Sequence, residues 1–207
     1  LIGSSRAIVA RRALSDGNDQ LIGGDGDDIL VTNSGIDSLD GGAGTNDRLI
    51  FDGFNSEFAS DHTVNSLAIE STIFETPTRS YDFKSSYSNI EILDIGFGSA
   101  DQNVTVDLNG LPATVSLDTR GPSTSDSVTI SGSAGNDVLT LSGSTLSDGT
   151  TTINLAGIEN LVLDISSGGS DEISVDQDFT GSARTIMVSG DTADDSISLQ
   201  STTKRQI

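Results

Sequence analysis

The sequence contains no cysteine, which excludes a disulfide framework, a thiolate metal site and a cysteine nucleophile. It has no tryptophan, one methionine (Met187), three prolines and a single histidine, His62. One histidine rules out the H-E-x-x-H zinc helix and any three-histidine metal site. Bases are scarce: ten Lys and Arg stand against 31 Asp and Glu, a net charge of -21. Such a chain repels nucleic acid and anionic membranes and attracts cations. No apolar run reaches the length of a membrane helix, so no transmembrane segment is expected. Neither an initiator methionine nor a charged-then-apolar leader opens the sequence, and a piece of a larger polypeptide is expected. No G-x-S-x-G elbow or Walker loop occurs, and the many carboxylates sit at repeat positions in turns. No catalytic residue is therefore assigned, and an enzyme is not expected.

Glycine and aspartate are what the chain has in quantity. The stretch 21–44, LIGGDGDDILVTNSGIDSLDGGAG, holds seven glycines and five aspartates with no base among them. Leu21, Leu30 and Leu39 recur every nine residues, with Asp19, Asp28 and Asp37 each two residues earlier and Gly17, Gly26 and Gly35 in the same phase. Residues 23–31 fit G-G-x-G-x-D-x-U-x, U being a large apolar residue, at every fixed position. A fourth copy over 41–49 carries one extra residue before Asp47. Glycines permit positive φ and close approach of neighbouring turns, so the first six residues predict a tight bend and the last three a short strand. Two nonamers then make one turn of a parallel roll. Asp19 stacks over Asp37, and Asp28 over Asp47. Carboxylate and carbonyl oxygens converging between stacked loops suit Ca²⁺. Asp-Gly pairs also mark polar hairpin turns, but three copies in strict phase argue for the roll.

This run is similar to the RTX (repeat-in-toxin) family of calcium-binding β-rolls, found in secreted bacterial toxins, proteases, lipases, adhesins and surface-layer proteins. The resemblance covers about residues 14–50. It implies Ca²⁺ ligands at Asp19, Asp28, Asp37 and Asp47, with carbonyls from the Gly17, Gly24, Gly26, Gly35 and Gly44 loops, and an extracellular bacterial location. Asn46 and the one-residue shift depart from the family pattern, at the implied site between the second and fourth loops.

Beyond residue 88 a longer likeness appears. IEILDI (90–95) resembles ENLVLDI (159–165), DQNVTVD (101–107) resembles DEISVD (171–176), and DSVTI (126–130) matches DSISL (195–199). These correspondences, in order and at similar offsets, predict a repeat of about 70 residues built from several strands. Short β-branched segments such as Val128–Ile130, Val138–Leu141, Ile173–Val175 and Ile197–Leu199 begin just after an aspartate. GSAGNDVLTL (132–141) aligns with GAGTNDRLIF (42–51), which makes Asp137 a further candidate ligand, or else an aspartate tying its own turn. Residues 4–14 carry either a helix or an edge strand, and Arg6, Arg11 and Arg12 there are expected to pair with the acidic roll. Eight of the nine aromatics fall between 51 and 97, which marks 51–88 as an insertion whose rings pack on a flank or open end, or line a binding loop. His62 is expected to be a lone surface histidine rather than part of a nucleophilic site.

The expected fold is all-β, a parallel β-roll or β-helix (β-solenoid). The expected organisation is an edge or cap segment 1–13, a calcium-binding roll 14–50, the aromatic-rich insertion 51–88, and degenerate solenoid repeats 89–207. The expected role is a calcium-binding structural segment of a large secreted or cell-surface protein of surface-layer or adhesin type. Calcium, self-association, neighbouring domains of the same protein and a cell-surface polysaccharide are the expected partners, and nucleic acid is not. The alternative is the calcium-binding tail of an RTX exoenzyme or toxin.

Overall fold

The computed structural model describes residues 9–11, 17–52, 58–120, 125–176 and 185–200. Among these the regular elements are β-strands, arranged as two mixed sheets. The fold is all-β. Strands form because apolar and small polar residues alternate: in Ser127–Ser131 the side chains of Val128 and Ile130 are buried and those of Ser127, Thr129 and Ser131 face outward.

The first strands are β1 (Val9–Arg11), β2 (Gln20–Asp25), β3 (Ile29–Thr32), β4 (Ile36–Ala43) and β5 (Arg48–Asp52). β2 pairs with β4 in one sheet, while β1, β3 and β5 lie side by side in the other, all parallel. Consecutive strands thus cross from sheet to sheet. The pattern continues through β9 (Ile92–Gly96), β10 (Gln102–Asp107), β11 (Thr114–Asp118) and β12 (Ser127–Ser131), and again through β16 (Asn160–Asp164), β17 (Glu172–Asp176), β18 (Thr185–Ser189) and β19 (Ser196–Gln200).

Two antiparallel meanders interrupt it. β6 (Ser60–Val64), β7 (Ala68–Thr76) and β8 (Arg79–Ser88) stay in the nine-stranded sheet, where β8 joins β4 and β6 joins β10 in parallel. β13 (Val138–Ser142), β14 (Thr145–Ser147) and β15 (Thr152–Ala156) stay in the ten-stranded sheet, between β17 and β11. The insertion expected over 51–88 is therefore woven into a sheet. Its rings are divided: Phe51 and Tyr87 are buried and Phe83 is half-buried, whereas Phe58, Phe74 and Tyr81 are exposed; Phe97, beyond it, is buried. Phe54 lies outside the described residues.

One apolar core draws on both sheets, including Leu21 and Leu39 from one and Leu30, Leu49 and Leu93 from the other. The leucines of the nonamers are thus core positions. Residues 9–11 of the segment 4–14 form a strand, and its remaining residues, with the side chains of Arg6, Arg11 and Arg12, lie outside the described residues.

The bend-and-strand division of the nonamer differs from expectation. β2 and β4 run on through Gly23-Gly24 and Gly41-Gly42, with Gly24 paired to Gly42. Glycine permits this because a Cβ on Gly42, whose φ is +100°, would fall on the Gly24 carbonyl oxygen.

Candidate cation-binding turns

The turns entering the strands carry the acids. Pairing Gln20 with Ser38 and Ile29 with Arg48 sets Asp19 beside Asp37 and Asp28 beside Asp47. The first pair is 18 residues apart and the second 19, so the extra residue of the fourth copy is absorbed in its turn without disturbing the stack. In each pair the amide of the earlier aspartate donates to the carboxylate of the later one: Asp19 N to Asp37 Oδ1 at 3.0 Å and Asp28 N to Asp47 Oδ1 at 2.7 Å.

The same bond recurs far beyond the nonamers. Asp47 N donates to Glu91 Oε2 (2.8 Å), Gln102 N to Asp126 Oδ1 (2.8 Å), Asp126 N to Glu159 Oε2 (3.1 Å), Asp137 N to Asp171 Oδ1 (2.8 Å) and Asp171 N to Asp195 Oδ1 (3.2 Å). Each acid immediately precedes a strand and caps the amide beside it. Glu91, Asp126, Glu159, Asp171 and Asp195 were not singled out by the sequence reading. Their position one residue before a strand is the signal that would have found them.

Stacking carboxylates at one strand spacing is costly. Two like charges about 5 Å apart repel by about 3 kcal/mol at an effective dielectric of 20. No described base relieves this: Arg48 pairs with Asp94, Arg79 with Glu75, Lys84 with Glu70 and Arg120 with Asp52. Asp47 shows the consequence. Burial holds its carboxyl above the usual carboxylate range, the Asp28 amide partly offsets this, and the charges of Glu91, Asp28 and Asp27 push it further up.

The two expected pairs differ in how their oxygens are used. Asp37 has Asp19 N on Oδ1 and the Thr32 hydroxyl on Oδ2, so both oxygens have donors. Asp47 is fully buried, and its Oδ2 has no hydrogen-bond partner. Beside it, the point where Gly44 would carry a Cβ lies 2.6 Å from Asp47 Oδ2, 2.7 Å from Oδ1 and 2.7 Å from the Gly26 carbonyl oxygen. Three oxygens thus converge on a cradle that a side chain would fill. The Gly17 and Gly24 carbonyls likewise face the Cβ positions of Gly35 and Gly42 on the next turn, while the Gly35 carbonyl also accepts Lys84 N at 2.9 Å. Among the described residues no three His, Cys, Asp or Glu side chains form a metal-holding group, so a cation here needs backbone carbonyls. The oxygen-only donor set fits a hard cation such as Ca²⁺.

Asp137 is placed as its alignment predicts, one residue before a strand of the ten-stranded sheet, like Asp47. Its carboxylate ties its own turn, taking Ser133 N on Oδ2 (2.8 Å) and the Ser133 hydroxyl on Oδ1 (2.9 Å).

His62 is a correction: it is buried, not on the surface. Its Nε2 faces Gln102 Oε1 at 2.9 Å, and because Gln102 Nε2 donates to the Ala100 carbonyl, that ring nitrogen carries the proton. Nδ1 then accepts from the Ser71 hydroxyl at 2.8 Å. The ring packs at 4.3 Å on Phe97, and burial pulls its pKa down to about 4. A neutral histidine with both nitrogens satisfied inside the core is a packing element.

No helix among the described residues is long and apolar enough to cross a membrane. No family model, curated protein or solved structure matches this chain.

Proposed function

We propose that the chain is a calcium-stabilised parallel β-roll, a structural segment of a large extracellular bacterial protein of the RTX surface-layer or adhesin kind. The observation that carries the reading is the convergence of both Asp47 carboxylate oxygens and the Gly26 carbonyl beside Gly44, with one of those oxygens buried and unpartnered. Asp28 and Asp47, with the Gly24, Gly26 and Gly44 loops, would hold one ion. Asp19 and Asp37, with the Gly17 and Gly35 loops, would hold another. The alternation of consecutive strands between two sheets supports the roll. Bound Ca²⁺ supplies the positive charge that the stacked acids lack. By mass action it contributes folding free energy.

An assembly role is supported by the last strands. Ile197 and Leu199 occupy the same inward positions as the buried Ile173 and the partly buried Val175, yet are 54% and 76% exposed. Among the described residues β18 and β19 are the edges of their sheets, and an edge strand can accept a further strand.

The test is circular dichroism and thermal unfolding of the whole chain in EDTA and then in excess CaCl₂. A gain of β signal and a raised midpoint are expected, and identical spectra and midpoints would refute the proposal. Size-exclusion chromatography under both conditions reads the assembly role: calcium-dependent growth in size is expected of a surface-lattice segment, and a strict monomer counts against it.

A further inference from the structure

We infer that the outer face of β6, β7 and β8, bordered by β4, is a binding groove for a neutral polysaccharide. The inference goes beyond the calcium-stabilised roll and uses none of the carboxylates proposed to hold Ca²⁺.

The first meander lays two rungs of outward side chains across the sheet. Asp61 of β6 pairs with Thr72 of β7, and Thr72 with Asp82 of β8. One step along, Thr63 pairs with Glu70, Glu70 with Lys84, and Lys84 with Ile36 of β4. All seven line one cavity of about 440 Å³. That volume falls in the ~300–1,000 Å³ range of small-molecule sites. The cavity is open rather than enclosed, which suits one unit within a longer chain.

The polar side chains are held in place before any ligand arrives. Asn103 Nδ2 donates to Asp61 Oδ1 (3.0 Å), the Thr72 hydroxyl to Asp82 Oδ1 (2.8 Å), and Lys84 Nζ to Glu70 Oε1 (2.6 Å). Each acid thus spends one oxygen on the protein and, among the described residues, keeps the other for solvent or a ligand. Preorganisation of this kind lowers the ordering cost of binding.

The mixture of groups selects the ligand. Three carboxylates oppose an anion, and Lys84 among them opposes a bare cation. A sugar hydroxyl is both donor and acceptor, so it can donate to the remaining carboxylate oxygens and accept from Lys84 and the Thr63 hydroxyl. Apolar surface for the C–H faces of a pyranose ring flanks the rungs. Ile36 is 58% exposed, and Phe74, two residues beyond Thr72 on the same face of β7, is 39% exposed.

In the test the whole chain, in CaCl₂, runs through native gels cast with dextran, mannan or galactan. Retardation by at least one of these polysaccharides is expected, and it should persist in ~0.5 M NaCl because a neutral ligand brings no charge to screen. Asp82→Ala and Lys84→Ala, at exposed positions, should each weaken it about tenfold, while Glu172→Gln, an exposed acid of the other sheet, should leave it unchanged. Circular dichroism verifies that each variant folds, and spectra in EDTA read the calcium proposal separately. Should one groove variant not fold, the other decides. No retardation of wild type in any gel, or equal retardation of wild type and folded groove variants, overturns the inference. So does salt-sensitive capture of an oligo-lysine peptide in place of the polysaccharides, which would make the groove a site for a basic partner.

Discussion

Residues 17–52 and the described residues 160–176 and 185–200 are built to one plan and end in opposite conditions. In both, inward side chains sit in register with those of the neighbouring strand, and the acids before β5, β17 and β19 each cap an amide on the neighbouring turn. Yet Leu21 in β2, the edge strand of the nine-stranded sheet, is 3% exposed, while Leu199 in β19, at the far edge of the ten-stranded sheet, is 76% exposed. The difference teaches that burial here is conferred by what covers a strand's inner face, not by the alternation of the strand itself or by its place at an edge. β19 alternates Ile197 and Leu199 with Ser and Gln as regularly as β12 alternates Val128 and Ile130 with Ser and Thr, and remains exposed.

The contrast can be pressed hardest by truncating equivalent side chains. Leu30→Ala, at a fully buried position, should cost about 3–5 kcal/mol in urea unfolding. A second lever is turn stacking. Gly42→Ala places a Cβ on the Gly24 carbonyl at φ +100° and should cost about 2–4 kcal/mol. Gly143→Ala, at φ +59° with nothing within 4 Å, should cost about 1 kcal/mol, and equal losses at the two would show that close approach is not what selects Gly42.

Acidity should distinguish the middle of the molecule from both ends. His62 has its pKa lowered from 6.5 to about 4, so the unfolded chain takes up a proton from pH 6.5 downward while the folded chain does not until about 4. Its contribution is present above pH 6.5 and is lost as pH falls toward 4, roughly 3 kcal/mol in all. Urea unfolding of wild type and His62→Gln in EDTA should converge between pH 7 and 4.5, and curves that stay parallel would contradict this. The smallest effect belongs to the open edge: Leu199→Ala should change stability by less than about 0.5 kcal/mol. A larger loss would mean that Leu199 is covered in solution.

The sequence pattern was readable where the period held. Nine-residue phasing located the stacks Asp19 on Asp37 and Asp28 on Asp47, and the all-β class followed from alternation after each aspartate. The rest of the acid ladder escaped because the spacing between neighbouring strands stretches: Ile36 pairs with Lys84, Arg48 with Ile92, and Val138 with Glu172. With two meanders spliced in, no fixed interval links Asp47 to Glu91 or Asp137 to Asp171. His62 was misjudged because the local sequence SDHTV shows alternation but not which face is covered. Its partners Ser71 and Gln102 come from two other strands.

The long repeat holds one more consequence. The segments expected to be its two copies are β9 to β12 and β16 to β19, and the matching strands lie in opposite sheets: β9 in the ten-stranded and β16 in the nine-stranded, β12 in the nine-stranded and β19 in the ten-stranded. The copies are thus out of step by an odd number of crossings, and both still pack. Parity is free in this architecture. A strand carrying an acid, then an outward and an inward residue in alternation, thus fits either of the two sheets, and the pattern that forms a strand does not choose between them.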